Sequence, residues 1–77
     1  MAHYTFDNVY EIIDNELVEV EELATEAGDK VFTGDYERGD VDVNTIDCIR
    51  IYRNHILKAV AFGTIETINN FMEQENL

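Results

Sequence analysis

Between Thr5 and Gly28 the chain carries eight carboxylates (Asp7, Glu11, Asp14, Glu16, Glu19, Glu21, Glu22 and Glu26) and no lysine or arginine. Threaded through them are Phe6, Val9, Tyr10, Ile13, Leu17, Val20 and Ala24. Any fold must bury the second set and leave the first in water, because a carboxylate removed from water without a partner is strongly disfavoured. The segment therefore supplies both a core face and a uniformly negative outer face.

Two local structures meet that demand. At 100° per residue, Phe6, Val9, Tyr10, Ile13, Leu17, Val20, Ala24 and Ala27 fall within one arc, with Asp7, Glu11, Asp14, Glu19, Glu21, Glu22 and Glu26 opposite. Thr5 suits an N-cap, Asp7 a first turn and Gly28 a left-handed C-terminal position. This spacing predicts one helix from about Thr5 to Ala27. The rival is a hairpin, Val9–Ile13 and Leu17–Val20 around a two-residue turn at Asp14-Asn15, which the β-branched residues favour. The good helix formers Leu23, Ala24 and Ala27 favour the helix, which is the expectation carried forward.

Downstream, Val31-Phe32-Thr33 predicts a short strand, Gly34-Asp35 and Arg38-Gly39-Asp40 predict turns, and Val41-Asp42-Val43 predicts a second short strand. Ile49–Arg53 and Ile56–Phe62 predict a hairpin around Asn54-His55. With that loop, one face carries Ile49, Ile51, Ile56, Val60 and Phe62. The other carries Cys48, Tyr52, Leu57, Ala59 and Ala61, apolar enough to predict a homodimer contact. Thr64 caps a last helix with Ile65, Ile68 and Met72 on one side. The expected fold is α+β in two layers. It has an N-terminal acidic helix, an antiparallel sheet of three or four strands and a C-terminal helix, in one domain over residues 1–77.

Seventy-seven residues make a marginal core, since a domain of this size buries only roughly 60% of the surface of its unfolded chain. A homodimer or partner is expected for that reason too. Cys48 is the only cysteine, so no intrachain disulfide forms, as suits a reducing compartment. With no signal segment at MAHYTFDN and no long apolar run, the expected location is cytoplasmic.

Catalysis is not expected. Cys48 and His55 lie seven residues apart along a strand, about 23 Å at about 3.3 Å per residue, too far to form a nucleophile and base. Two histidines and one cysteine do not make a zinc site. The acidic turn from Asp35 to Asp42 places its glycine fifth and has Ile46 at the twelfth position, so it does not follow the calcium-loop pattern. No metal, cofactor or catalytic residue is expected.

What remains is charge: 17 acidic residues against 5 basic ones, net −12. Such a chain repels nucleic acid and anionic membrane and is drawn to basic protein surfaces. The expected partner-binding residues are Asp7, Glu11, Asp14, Glu19, Glu21, Glu22 and Glu26. The stretch Tyr4-Thr5-Phe6-Asp7-Asn8-Val9-Tyr10, leading into the acidic segment, resembles the start of small acidic phage-encoded anti-defence inhibitors: anti-restriction DNA mimics and the anti-BREX and anti-CRISPR types. The resemblance covers roughly the first third of the chain. It implies a non-catalytic inhibitor in the host cytoplasm, one that occupies the basic groove of a restriction, BREX or CRISPR component. The alternative is an accessory or adaptor subunit that binds through the apolar sheet face, with acidity serving only solubility.

Overall fold

The computed structural model describes residues 2–34 and 47–76. Its strands are β1 (Ala2–Tyr4), β2 (Asn8–Ile13), β3 (Glu16–Val20), β4 (Leu23–Thr25), β5 (Lys30–Thr33), β6 (Asp47–Arg53) and β7 (Ile56–Gly63), followed by α1 (Ile65–Gln74). The described residues form a five-stranded antiparallel sheet in the order β3-β2-β7-β6-β5, and a two-stranded sheet of β1 and β4. The acidic turn expected over residues 35–42, and the strand expected at 41–43, lie outside the described residues.

The expected N-terminal helix does not form. Its residues make β2, β3 and β4 instead, so the architecture is mostly β. A helix here would set carboxylates at i, i+3 and i+4 with no cation between them, and each such like-charge pair is destabilising by about 0.2–0.5 kcal/mol. The strand alternative avoids this stacking and places Val9, Ile12, Val18 and Val20 where β-branched side chains pack well. The hairpin register pairs Val9 with Val20 and Ile13 with Glu16. Asp14 and Asn15 turn it at φ 52° and 66°, the left-handed pair that a type I′ loop demands. Gly28 does take a positive φ, 91°, but as the third residue of a turn closed by Asp29 N–H donating to the Glu26 carbonyl at 3.1 Å. That is the position where a type II turn needs glycine.

The β6–β7 hairpin turns at Asn54-His55, as the sequence predicts, with φ of 54° and 67°. Its faces differ from expectation because of one irregularity. Tyr52 pairs with Leu57 but Ile51 pairs with Ala59, so Lys58 is an extra residue in β7. A bulge of one residue moves every side chain beyond it to the opposite face. Ala59 and Ala61 therefore join Ile49 and Ile51 in the core, and Val60 and Phe62 join Cys48 on the other side.

The main core lies between the sheet and α1. It contains Phe6, Val9, Leu23, Ile49, Ile51, Ala59, Ala61, Ile68 and Phe71, with Tyr4, Val20, Val31 and Met72 packed around them. Phe71 receives Tyr4 and Phe6 edge-on, at 4.8 Å and 5.6 Å between ring centroids. Thr64 caps α1 as expected, its hydroxyl accepting from Thr67 N–H at 3.2 Å. Ile65, expected on the buried side, is exposed. On the opposite sheet face Cys48, Val60 and Phe62 form a second buried cluster beside Tyr10 and Leu57.

Candidate functional site

The strand order puts the acidic segment at one edge of the sheet. β3 is a terminal strand, and Asp14, Glu16, Glu19, Glu21 and Glu22 are exposed along it and in the turns at its two ends. Asp7, Glu19 and Glu21 line one open groove of about 420 Å³, together with Phe6, Asn8 and Val20. No cation is among its described lining residues, and none of these carboxylates has an ion-pair partner among the described residues. The arrangement concentrates negative potential at an edge with no further strand among the described residues, which a partner can meet by charge and by strand addition.

The other expected partner-binding residues separate from this edge. Glu26 pairs with Arg53 at 2.8 Å, and Glu11 is half-buried on β2, lining a different groove with Glu26, Arg53 and Lys58. Arg53 is the centre of a compact clamp. Its Nε donates to Asp29 Oδ1 at 2.8 Å, and a second guanidinium nitrogen donates to Oδ2 at 2.9 Å. Asp29 Oδ2 also accepts from Glu26 N–H at 2.9 Å. The Asp29 side chain is only 4% exposed. Hydrogen bonding from Arg53 holds the Asp29 carboxyl below its usual range, against the opposing effect of burial. The same bond to Asp29 raises Arg53 further above its ordinary value.

The residues expected at a homodimer interface do not share a face. Cys48, Ala59 and Ala61 are each buried within a single chain, at 2%, 4% and 0% exposure. Cys48 points away from the two alanines, for the bulge reason given above, and its thiol donates to the Gly34 carbonyl. Tyr52 and Leu57 keep part of their surface.

A second constellation was not anticipated. At the opposite edge, Lys30, Phe32, Arg50, Tyr52 and His55 line an open groove of about 460 Å³. Lys30 stands across from Tyr52, and Phe32 across from Arg50. The sequence does hold half of this signal, because Lys30 and Phe32, and likewise Arg50 and Tyr52, are two apart and share a strand face. Which strand lies beside which depends on long-range pairing that local pattern does not encode.

Among the described residues, no cluster of His, Cys, Asp and Glu has the geometry to hold a metal ion. No helix among them is long and apolar enough to cross a membrane. No family model, curated protein or solved structure matches the chain.

Proposed function

We propose that this protein is a non-catalytic acidic inhibitor that presents its β3 edge to the basic groove of a nucleic-acid-handling defence protein, a restriction, BREX or CRISPR component. The observation that carries this reading is the gathering of Asp7, Glu19 and Glu21 around one groove, with Glu16 on β3 and Asp14 in the turn before it further along the same edge, and with no described cation to neutralise them. Glu22 extends the same surface, whereas Glu26 is tied to Arg53 and Glu11 sits to one side. A groove built to hold a phosphate backbone presents lysine and arginine at close intervals. Carboxylates gathered at one sheet edge, from β3 and the turns at its ends, offer those cations an anionic counterpart and orient the approach. Direct binding of a long nucleic acid is opposed by the same charge.

The test is capture of partners from host lysate at about 50 mM and about 500 mM salt, followed by competition with duplex DNA for the captured protein. Charge-driven capture should fall steeply between the two, since the screening length shrinks from about 10 Å at 0.1 M to about 3 Å at 1 M. Duplex DNA should displace the inhibitor, and the combination Asp7→Asn, Glu19→Gln and Glu21→Gln should slow association most at low salt. Capture indifferent to salt, to DNA and to the triple variant would rule the reading out.

A further inference from the structure

We infer that the groove between β5 and β6 is a second, separate binding site, shaped for a small aromatic ligand that carries phosphate, of mononucleotide size. Its pattern is a two-by-two lattice. Lys30 and Phe32 alternate along β5, Arg50 and Tyr52 along β6, and the antiparallel register sets each cation opposite a ring. Phe32 and Tyr52 stand edge to face at 5.4 Å and 89°. The Arg50 guanidinium carbon lies 5.8 Å from the Phe32 centroid, and His55 closes the end of the groove at the hairpin turn.

Two features set this lattice apart from ordinary sheet packing. Arg50 Nε is buried and has no hydrogen-bond partner, a costly state for a charged group. In addition, neither Lys30 nor Arg50 has an ion-pair partner among the described residues, although the chain holds 17 carboxylates. An anionic oxygen in the groove would offset the charge of Lys30 and Arg50. Phe32, half exposed, and Tyr52 supply flat apolar surface on which a base stacks. The volume, about 460 Å³, falls within the roughly 300–1,000 Å³ of small-molecule sites.

The net charge of −12 does not forbid this. β3 and β5 are the two terminal strands of the described sheet, so four inter-strand steps of about 4.8 Å put roughly 19 Å between them. That exceeds two screening lengths at physiological salt, where each is about 8 Å. Among the described residues, the carboxylates that lead into β5, Glu26 and Asp29, are held by Arg53. A ligand with two charges therefore meets the local cations, whereas a long polyanion also meets the acidic edge. Size and charge together favour a mononucleotide over a nucleic-acid strand.

The test is amide NMR titration of the full chain at about 50 mM salt, with AMP, adenosine, inorganic phosphate and an oligonucleotide as separate probes. AMP should move the amides of Lys30, Phe32, Arg50 and Tyr52 to saturation. Adenosine and phosphate should each bind at least about tenfold more weakly, as expected when both halves contribute about 1.4 kcal/mol or more. Phe32→Ala and Arg50→Gln should each weaken AMP by about tenfold. Lys30→Gln, at an exposed position that folding tolerates, should also weaken it. The inference is overturned if AMP moves none of these amides, or if Lys30→Gln and Phe32→Ala bind AMP like the parent. It is equally overturned if the oligonucleotide saturates the site more tightly than AMP. The same holds if the shifts follow protein concentration without AMP, which would assign the groove to a second copy of the chain. None of these outcomes involves Asp7, Glu19 or Glu21, so they bear on this site and not on the inhibitor reading.

Discussion

Replacing Arg53 by methionine should be among the most damaging single changes outside the apolar core. The substitution keeps an unbranched stem of similar reach and removes two hydrogen bonds to Asp29 and the ion pair to Glu26. It strands the Asp29 carboxylate, whose side chain is 4% exposed, with one remaining bond, from Glu26 N–H. Breaking a fully buried pair from one side costs about 3–5 kcal/mol. Arg53 is 27% exposed and Asp29 keeps its backbone donor, so about 2–3 kcal/mol is expected here. For 77 residues at about 2.1 cal/mol/K each, the unfolding entropy is about 0.16 kcal/mol/K, which converts that loss into a fall in Tm of about 12–18 °C. Thermal melts followed by far-UV circular dichroism measure it directly. Asp29→Ala with Arg53→Met closes a double-mutant cycle, and the coupling should exceed about 1 kcal/mol. Glu26→Gln, at a side chain 48% exposed, should change stability by less than about 1 kcal/mol. A Tm for Arg53→Met within about 3 °C of the parent, which is about 0.5 kcal/mol by the same conversion, would refute the reasoning.

The clamp also fixes a pH dependence. The Asp29 carboxyl in the folded chain titrates below its ordinary 3.8, with the Arg53 hydrogen bond as the main cause. A depressed folded value means that the unfolded chain binds the proton first. The stability contributed by Asp29 is therefore fully present above the unfolded value and is lost as the pH falls through the folded one. Asp29→Asn lacks this titration. The stability gap between parent and variant should be constant above about pH 5 and narrow steadily below about pH 4. The difference isolates Asp29, because the other carboxylates titrate in both proteins.

The two tight turns and one glycine give further tests. His55 sits at φ 67° and Asn15 at φ 66°. His55→Gly should raise stability by about 0.5–1 kcal/mol, and Asn15→Gly by less, because asparagine tolerates the left-handed region better than histidine; chemical denaturation of the two variants gives the order. A Cβ added at Gly63 would lie 3.2 Å from Phe6 Cδ2 and 3.3 Å from Thr67 Cβ and Cγ2. Gly63→Ala should therefore destabilise by about 1–2 kcal/mol, and Thr67→Ser in the same chain, which removes Cγ2, should restore part of the loss in a melt.

Legibility in the sequence followed the range of the interactions involved. The β6–β7 hairpin and the Thr64 cap rest on residues a few positions apart, and both stand where the local pattern puts them. The same kind of local evidence predicts a helix from about Thr5 to Ala27, where the chain forms β2, β3 and β4. Its apolar residues satisfy a helical arc and a strand alternation nearly equally. The choice falls to β2, which pairs with β3 on one side and with β7, some fifty residues away, on the other. Burial of Val9 between Val20 and Ala61 is a long-range gain that no window around Val9 contains. The bulge at Lys58 is subtler. The Asn54-His55 turn sets Arg53 opposite Ile56, and one extra residue after it reverses the faces of Ala59 to Phe62. A hairpin can thus have the right turn and the wrong inside.

A net charge of −12 predicts repulsion of nucleic acid and anionic membrane, but the sum contains no geometry. The sheet order sends β3 with its glutamates to one edge and β5 with Lys30 to the other, with Arg50 in the neighbouring strand. Screening at physiological salt then cuts the molecule into regions about 8 Å across, each governed by its own side chains. Arg53 holds Glu26 and Asp29 by binding them, and Lys30 and Arg50 have no ion-pair partner among the described residues. The clamp is therefore more than a stabilising contact. Loss of Arg53 would free two carboxylates from their cation, so Arg53→Met should weaken AMP at the groove as well as lower the melting temperature, and more at low salt than at high.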